Sequence, residues 1–436
     1  MLHDDLKKLN KYPFHMPGHK RNKAFDINAG EIDITEISGF DNLHSPSGSI
    51  LEIEQKLSSL YKSMKSFMLV NGSTVGLLAS VFAVTEQKDK IIIARNCHKS
   101  VYNACFLREL DVVYIEPEFN EKNGFYTEMT QSAVDKAVKD NPDAKAVIIT
   151  SPTYEGYASN IHSDIPLIID AAHGAHFGFG KFPEYPKGDI VVSSLHKTLP
   201  SLTQTAVLNV YNSVLTKKVR MYLDIFQTTS PSYVLMNSVS KCVCFLEEAE
   251  AAFKEYDALL DAFYKTKLKN LEFVKTDDRG KIVVSTAKSN INGHMLADKL
   301  RTDFSIECEM ESLNYIILMS SVADTKEAFS ALSNALIEID KTLKICKMNI
   351  IEKPNLPMKI CNSFEVKTAE KMLLKNASGK ISAEYVYAYP PDIPILVPGE
   401  EITEELLSNI AGMFENKINV ISDSHLLPSC ILTKAD

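Results

Sequence analysis

The chain has 436 residues, 45% of them hydrophobic, and a net charge of −9. That is enough apolar material for a large core and for two or three domains. Acids and bases are interspersed with no basic patch, which excludes the electrostatic footprint of a nucleic-acid binder, and no apolar run approaches the ~18 residues of a membrane span.

Residues 1–50 are dense in turn formers: Pro13, Pro17-Gly18, Asn28, Gly30, Gly39, Pro46 and Gly48. His15-Met-Pro-Gly-His-Lys20 is a constrained polar loop without periodicity. The stretch reads as an arm laid on the body of the protein or on a partner subunit, or as a plain surface lead-in. It begins without an apolar signal core, so a cytoplasmic protein is expected. The eight cysteines are scattered through a large chain, and free thiols are their expected state.

Apolar positions Ile50, Ile53, Leu57, Leu60 and Tyr61 predict a helix over Ile50–Lys62. Ser66–Val70 predicts a short strand, after which Asn71-Gly72-Ser73-Thr74 opens an apolar helix running to Val84. Strand, Gly-Ser-Thr, helix either holds a phosphate on free amides and hydroxyls or is an ordinary Ser/Thr cap. Ile91–Ala94 predicts a strand followed by Arg95-Asn-Cys-His98. His98 either stacks on a flat ring or is a satisfied structural histidine. Val112–Ile115 and Ala146–Thr150 add strands, the second ending in the stiff loop Ser151-Pro-Thr-Tyr-Glu-Gly156.

Two further strands carry the most chemistry. Leu167–Ile169 ends in Asp170, and Ile190–Val192 ends in Ser193-Ser194-Leu-His196-Lys197. A strand-end Lys is commonly a surface residue and a strand-end Asp a helix cap. In a parallel sheet, however, both lie at strand C-terminal ends, where α/β proteins bind ligands. An Asp facing a Lys in a cleft there suits pyridoxal phosphate: the Lys bonds its aldehyde as a Schiff base, and the Asp keeps the pyridine nitrogen protonated. His173 and His176 lie in a glycine-containing loop, and no metal site is expected from them.

Thr205–Tyr211 predicts one more strand, antiparallel at an edge. Strands alternating with helices from residue 66 to 210 predict an α/β fold with a mostly parallel, doubly wound sheet. Gln227-Thr-Thr-Ser-Pro-Ser-Tyr233 caps a long helix over Ser232–Leu268. Strands near Ile282–Ser285, Ile306–Met310 and Tyr315–Leu318 alternate with helices near Gly293–Leu300 and Lys326–Thr342. The expected division is an arm (1–50), a large domain including the long helix (51–268), and a small α+β domain (269–436). The last contains Ala388–Glu400, whose prolines exclude a helix.

Blocks of sequence recur in a known order: His15-Met-Pro-Gly-His-Lys20, Asn71-Gly-Ser-Thr74, Arg95-Asn-Cys-His98, Ser151-Pro-Thr-Tyr154 and Asp170-Ala-Ala-His173-Gly-Ala-His176. Ser194-Leu-His196-Lys197-Thr-Leu-Pro200, Thr228-Thr-Ser-Pro-Ser-Tyr233, Tyr389-Pro-Pro391 and Pro398-Gly-Glu400 complete the set. Together they resemble the Orn/Lys/Arg decarboxylases, which are fold type I (aspartate aminotransferase-like) pyridoxal-phosphate enzymes. The resemblance implies a homodimer that removes the α-carboxylate of arginine, lysine or ornithine, a reaction of polyamine biosynthesis. It implies that Ser73 and Thr74 hold the cofactor phosphate, with Ser194 and His196 closing it from the other side. His98 would stack on the ring, Asp170 would pair with its nitrogen, and Ala172 would pack beneath it. Lys197 would carry the cofactor, His173 would lie near the ring oxygen or the substrate carboxylate, and His196 or Lys197 would reprotonate Cα. Thr228, Thr229 and Ser230 would reach into the partner subunit's site. A short form is expected, without the N-terminal wing domain of the larger inducible members. Ala171 and Asp392 depart from the Glu and Gly usual in the family.

The arginines bear on reaction type. They are Arg21, Arg95, Arg108, Arg220, Arg279 and Arg301, with none after Arg301. Aminotransferases of this fold grip the substrate carboxylate with a small-domain Arg. Arg279 sits in a polar turn and Arg301 ends a predicted helix, so neither suits that clamp. A decarboxylase gains nothing from holding the carboxylate in its ground state, and the pattern favours a lyase.

A distal substrate cation needs an acid. Glu36, Asp41, Glu384, Asp392 and Glu400 are candidates, each alternatively a solvated or capping carboxylate. Glu384 and Glu400 come first because they flank the proline-rich segment. Two other readings stand beside the decarboxylase. One is another fold type I lyase or an aminotransferase, separable by its product. The other is a cofactor-binding protein without turnover, against which the complete Asp170, His173, Lys197 set argues.

Overall fold

A computed structural model describes residues 11–348, 350–388, 393–415 and 418–435. At its centre lies a seven-stranded sheet. The strands are β1 (Lys65–Leu69), β2 (Lys90–Ala94), β3 (Asp111–Ile115), β4 (Val147–Thr150), β5 (Leu167–Asp170), β6 (Ile190–Ser193) and β7 (Ala206–Val210). Their spatial order is β1-β7-β6-β5-β4-β2-β3, and every neighbouring pair is parallel except the two made by β7. Short Val/Ile-rich runs without polar alternation are what strands covered on both faces require.

The last strand is antiparallel, as expected, but it lies inside the sheet and not at an edge. Its five residues are all buried. Its one polar side chain, Asn209, accepts from Ser66 Oγ and donates to Tyr185 Oη, so the interior position leaves nothing unsatisfied.

Helices cover both faces, among them α1 (Ser49–Tyr61), α2 (Gly72–Val84) and α3 (Lys99–Leu107). α2 lies close on the sheet because Gly76 has no side chain: a Cβ there would stand 2.8 Å from side chains of Leu69 and Val192. The catalytic-looking lysine sits in the single-turn α4 (Leu195–Thr198). The helix expected over Ser232–Leu268 is two helices, α5 (Tyr233–Glu247) and α6 (Glu250–Phe263). The break escapes a periodicity reading because apolar positions Leu246, Ala249, Phe253, Tyr256 and Leu260 run through it at helical spacing into one core.

Beyond residue 269 the expected single small domain is two packing units. The first is the antiparallel sheet β8 (Glu272–Val274), β9 (Lys281–Ser285), β10 (Met310–Glu311) and β11 (Tyr315–Met319), in the order β8-β9-β11-β10. The second is the sheet β12 (Val386–Ala388), β13 (Ile393–Leu396) and β14 (Val420–Ser422), which shares a separate core with Ala377, Ile402, Ile410 and Ile431. A largely exposed linker carrying Pro354 separates them.

The N-terminal arm packs on the body of its own chain. Tyr12–Phe14 pairs in parallel with Ile306–Cys308, and the Lys20 ammonium donates to the carbonyls of His15 and Met319. The Gly18 amide donates to the His196 carbonyl at 2.7 Å. A Cβ on Gly18 would stand 2.7 Å from the Leu199 carbonyl oxygen, so the Pro-Gly turn is fitted against the lysine-bearing segment. Among the described residues no helix is long and apolar enough to cross a membrane.

Candidate active site

A cavity of about 780 Å³ opens where β1, β2, β5 and β6 end. Ser73, Thr74, His98, Asp170, Ala172, His173, Ser194, His196 and Lys197 all line it. Strand-end residues from separate parts of the chain thus meet at one rim of a parallel sheet, where such folds bind ligands.

One end of the cavity suits an anion. Helix α2 begins there, and Asn71 at its cap position gives no side-chain hydrogen bond to the helix. Asn71 Oδ1 instead accepts the Thr228 amide at 3.1 Å. Ser73 Oγ lies 2.6 Å from Ser194 Oγ, so two hydroxyls and an uncapped first turn converge.

The middle suits a flat, cationic ring. His98 caps α3, its Nδ1 accepting the Ser100 amide at 3.2 Å. Burial and the nearby Lys197 and Lys99 cations push its imidazolium down to about 3, so the ring is neutral. Asp170 ends β5, is 2% exposed, and accepts the Ala172 amide at 3.1 Å. Burial raises its carboxyl above the ordinary range, against the pull of Lys197 and of that amide. A cation at a ring nitrogen would further offset the burial that raises this acid.

Lys197 is partly buried, and desolvation lowers its ammonium from the ordinary lysine value. Its Nζ lies 3.0 Å from His173 Nε2. His196 donates from Nδ1 to the Thr205 carbonyl at 2.9 Å, and burial brings its imidazolium down to about 4. An uncapped helix start with hydroxyls, a neutral imidazole, a buried acid and a depressed lysine fit pyridoxal phosphate.

Other expected residues lie elsewhere. Thr228 and Thr229 do not line the cavity of their own chain; Thr228 stands beside Asn71, and Thr229 is exposed. Glu384 and Glu400 are corrected, because neither reaches the cavity. Glu384 is buried with its carboxylate accepting the amides of Ser424 and Leu432. Glu400 accepts from Arg95 at 3.2 Å and from the Val397 amide at 2.8 Å, so both acids are structural. Asp41 accepts the amides of Ser47, Gly48 and Ile50 as a loop cap. Glu36 also lies off the cavity. Asp392 lies outside the described residues, and Ala171 is fully buried in the core of the large sheet.

The acids that do line the cavity include Glu155 and Glu309. Glu155 is buried, accepts from Tyr315 Oη at 3.3 Å, and is pushed up to about 7 by burial. Glu309 accepts from Tyr154 Oη and the Met16 amide, both at 2.9 Å. Glu155 lay within a loop already placed at this rim, which was its only sequence signal. Glu309 follows the short strand Ile306–Cys308 that pairs with the arm, and carried none. Arg279 is paired with Asp257 and Asp261, and Arg301 with Asp298, Glu307 and Glu311. Neither lines the cavity, so no carboxylate clamp comes from them.

Comparison with known proteins gives a consistent result. The sequence model described as "Orn/Lys/Arg decarboxylase, major domain" matches residues 4–293, and the one described as "Orn/Lys/Arg decarboxylase, C-terminal domain" matches residues 343–415. An arginine decarboxylase of Bacillus subtilis is 32% identical over 461 residues, covering 95% of this chain and 93% of its own. An arginine decarboxylase of Bacillus anthracis is 31% identical over 452 residues, covering 94% and 91%. Among solved structures, lysine decarboxylase A from Pseudomonas aeruginosa superposes with a TM-score of 0.75 at 16% identity, covering 95% of this chain and 75% of its own.

Proposed function

The chain belongs to the Orn/Lys/Arg decarboxylase family, and from that premise we propose that it removes the α-carboxylate of arginine. Decarboxylation of a basic amino acid with pyridoxal phosphate follows from the family; arginine as the substrate is supported by the arginine decarboxylases that match over nearly the whole chain. The products are the corresponding amine and carbon dioxide, which links the reaction to polyamine formation.

The observation that carries this reading is the single cavity shared by Ser73, His98, Asp170 and Lys197. Ser73, Thr74 and the first amides of α2 would hold the phosphate, with Ser194 facing Ser73. Neutral His98 would pack against the ring, and Asp170 would hold a proton at the pyridine nitrogen. Lys197 would be the residue that attaches the cofactor. Pyridoxal phosphate, when bound, supplies a conjugated ring that takes up the electron pair of the broken bond. Tyr154, Phe125 and Tyr315 wall the cavity and exclude water from the departing carboxylate. His196 or Lys197 returns a proton to Cα. Glu309, with Glu155 beside it, offers negative charge to the distal cation.

The test is product analysis on purified protein given arginine, lysine and ornithine separately. Agmatine from arginine, at rates well above cadaverine or putrescine from the others, is the expected result. A 2-oxo acid would shift the reading to an aminotransferase.

Two copies of the chain form the working enzyme. Support comes from exposed Ile37 and Phe40 in the arm region and from exposed Thr229 and Ser230 next to the anion end. Sedimentation should give twice the 48.6 kDa chain mass; a monomer with full turnover would sink this part. The eight cysteines are all free, which supports a reducing compartment.

A further inference from the structure

One wall of the cavity is a length of chain without helix or strand. Residues 350–357, in the linker between the two C-terminal packing units, supply Ile351, Glu352, Pro354, Asn355, Leu356 and Pro357 to its lining. The other side of this strap faces solvent: Glu352, Lys353, Pro354 and Asn355 are exposed, and only Pro357 is buried.

The strap is pinned beyond both ends and held loosely between them. On one side the Cys346 amide donates to the Lys288 carbonyl at 2.8 Å, and on the other the Glu401 amide donates to the Met358 carbonyl at 2.9 Å. Between these points, among the described residues, a single backbone bond ties the strap to the body, from the Ile351 amide to the Glu121 carbonyl at 2.8 Å. Two side-chain contacts add to it. Lys353 lies 3.1 Å from Glu116, and Asn355 donates to the Glu405 carboxylate at 3.0 Å. Both stand at the surface, where such contacts are worth little. The apolar anchor is Ile351. It packs on Gly124, in the turn between Phe119–Asn120 and Phe125–Tyr126. A Cβ on that glycine would stand 2.5 Å from Ile351 Cδ1, so only bare backbone leaves room for the side chain.

The rest of the wall is fastened more firmly. The arm is tied by the Met16 amide to Glu309 and by the Gly18 amide to the His196 carbonyl. The C-terminal unit is tied by Arg95 to Glu400 and to the Pro394 carbonyl, and by Lys359 to Asp111 and the Val112 carbonyl. The cavity also opens at its anion end, where Thr74 is exposed, but a bound phosphate would stop that end.

We propose that residues 350–357 form a lid that lifts to admit the substrate to the cofactor-loaded cavity, with Ile351 on Gly124 as its latch. The inference rests on the cofactor placement given above. The case is a comparison of what must break. Lifting the strap gives up one backbone bond, two surface contacts and one half-buried isoleucine. Lifting the C-terminal unit would expose a buried ion pair. Segments that open locally are those with few buried apolar contacts and few backbone bonds. Reclosure shuts water away from the departing carboxylate. Glu352, which bonds no other described residue, sets a carboxylate on the way in, as suits a cationic substrate.

The test follows entry with aminooxyacetate, a small reagent that captures the cofactor's carbonyl carbon whatever the natural substrate is. Holoenzyme is mixed with it, and visible absorption gives the rate. Ile351→Ala empties the seat on Gly124 and should speed capture about tenfold, since the apolar burial lost is what holds the lid shut. Lys353→Cys with Glu116→Cys, joined by a bis-maleimide and verified by the mass of the linked peptide, should slow capture at least about tenfold. Each single-cysteine variant, treated alike, should capture no more slowly than the unaltered enzyme. A linked strap that captures at the unaltered rate, or Ile351→Ala that captures no faster, overturns the proposal. If the double variant fails to fold or to link, Ile351→Ala decides together with hydrogen exchange. It should quicken exchange at residues 350–357 and leave β9 and β11 as they were; faster capture without that local opening overturns the lid. A protein that behaves as expected here but yields no amine from arginine, lysine or ornithine would sink the proposed substrate class and leave the lid standing.

Discussion

Lys197→Ala is expected to abolish decarboxylation and to remove the yellow absorption of the bound cofactor, while the protein still folds. The side chain is partly buried and bonds only the His173 ring among the described residues, making no ion pair there. Truncation therefore leaves no orphaned carboxylate in contact, and stability should change little. Activity should fall by at least about a thousandfold, because the covalent attachment is lost together with a proton-carrying group worth about 10²–10⁴ by itself. Mass spectrometry of the borohydride-treated protein gives an independent reading: pyridoxyl label on the peptide holding Lys197 in the unaltered chain, and none in the variant. Label on any other lysine instead would move the cofactor attachment off Lys197.

Asp170→Asn is expected to lower kcat by about 10²–10³, the range seen when one preorganised electrostatic partner is removed. The amide keeps the shape and can still accept the Ala172 amide, but it cannot balance a proton at the ring nitrogen. KM should move much less than kcat, since the interaction matters most as charge develops in the ring. Steady-state kinetics with the best substrate separates the two. A variant with unchanged kcat and a raised KM would mean that Asp170 only helps to hold the cofactor in place.

The parts of the site legible in the sequence were those that local rules fix. A strand end is recognisable from a short Val/Ile run, and a parallel sheet puts every such end on one rim. Asp170, His98, Ser194 and Lys197 are therefore brought together by the sequence pattern alone. Glu384 and Glu400 show where that logic stops. Their closeness to the proline-rich segment was real, but their carboxylates turn to Ser424, Leu432 and Arg95, contacts 40 to 305 residues away. No local pattern registers such partners. Glu309 was missed for the converse reason, since it reaches the cavity from the turn between the strand paired with the arm and the second sheet, whose docking is set by tertiary packing. The interior position of β7 and the break between α5 and α6 belong to the same class. Each keeps the local pattern intact while the chain's path changes.

The buried pair between Arg95 and Glu400 has a consequence for how the molecule comes into being. Arg95 also donates to the Pro394 carbonyl, so its guanidinium is finished only by the far C-terminal unit. The two charged residues are 305 positions apart. At a synthesis rate of about 5–20 residues per second, Arg95 waits about 15–60 s on the ribosome for its counter-charge. During that time it must stay hydrated, since an unpaired buried guanidinium is strongly unfavourable. Arg95, which lines the cavity, therefore gains its counter-charge only once Glu400 has emerged, so the far C-terminal unit completes the wall of a site whose other residues are made long before it.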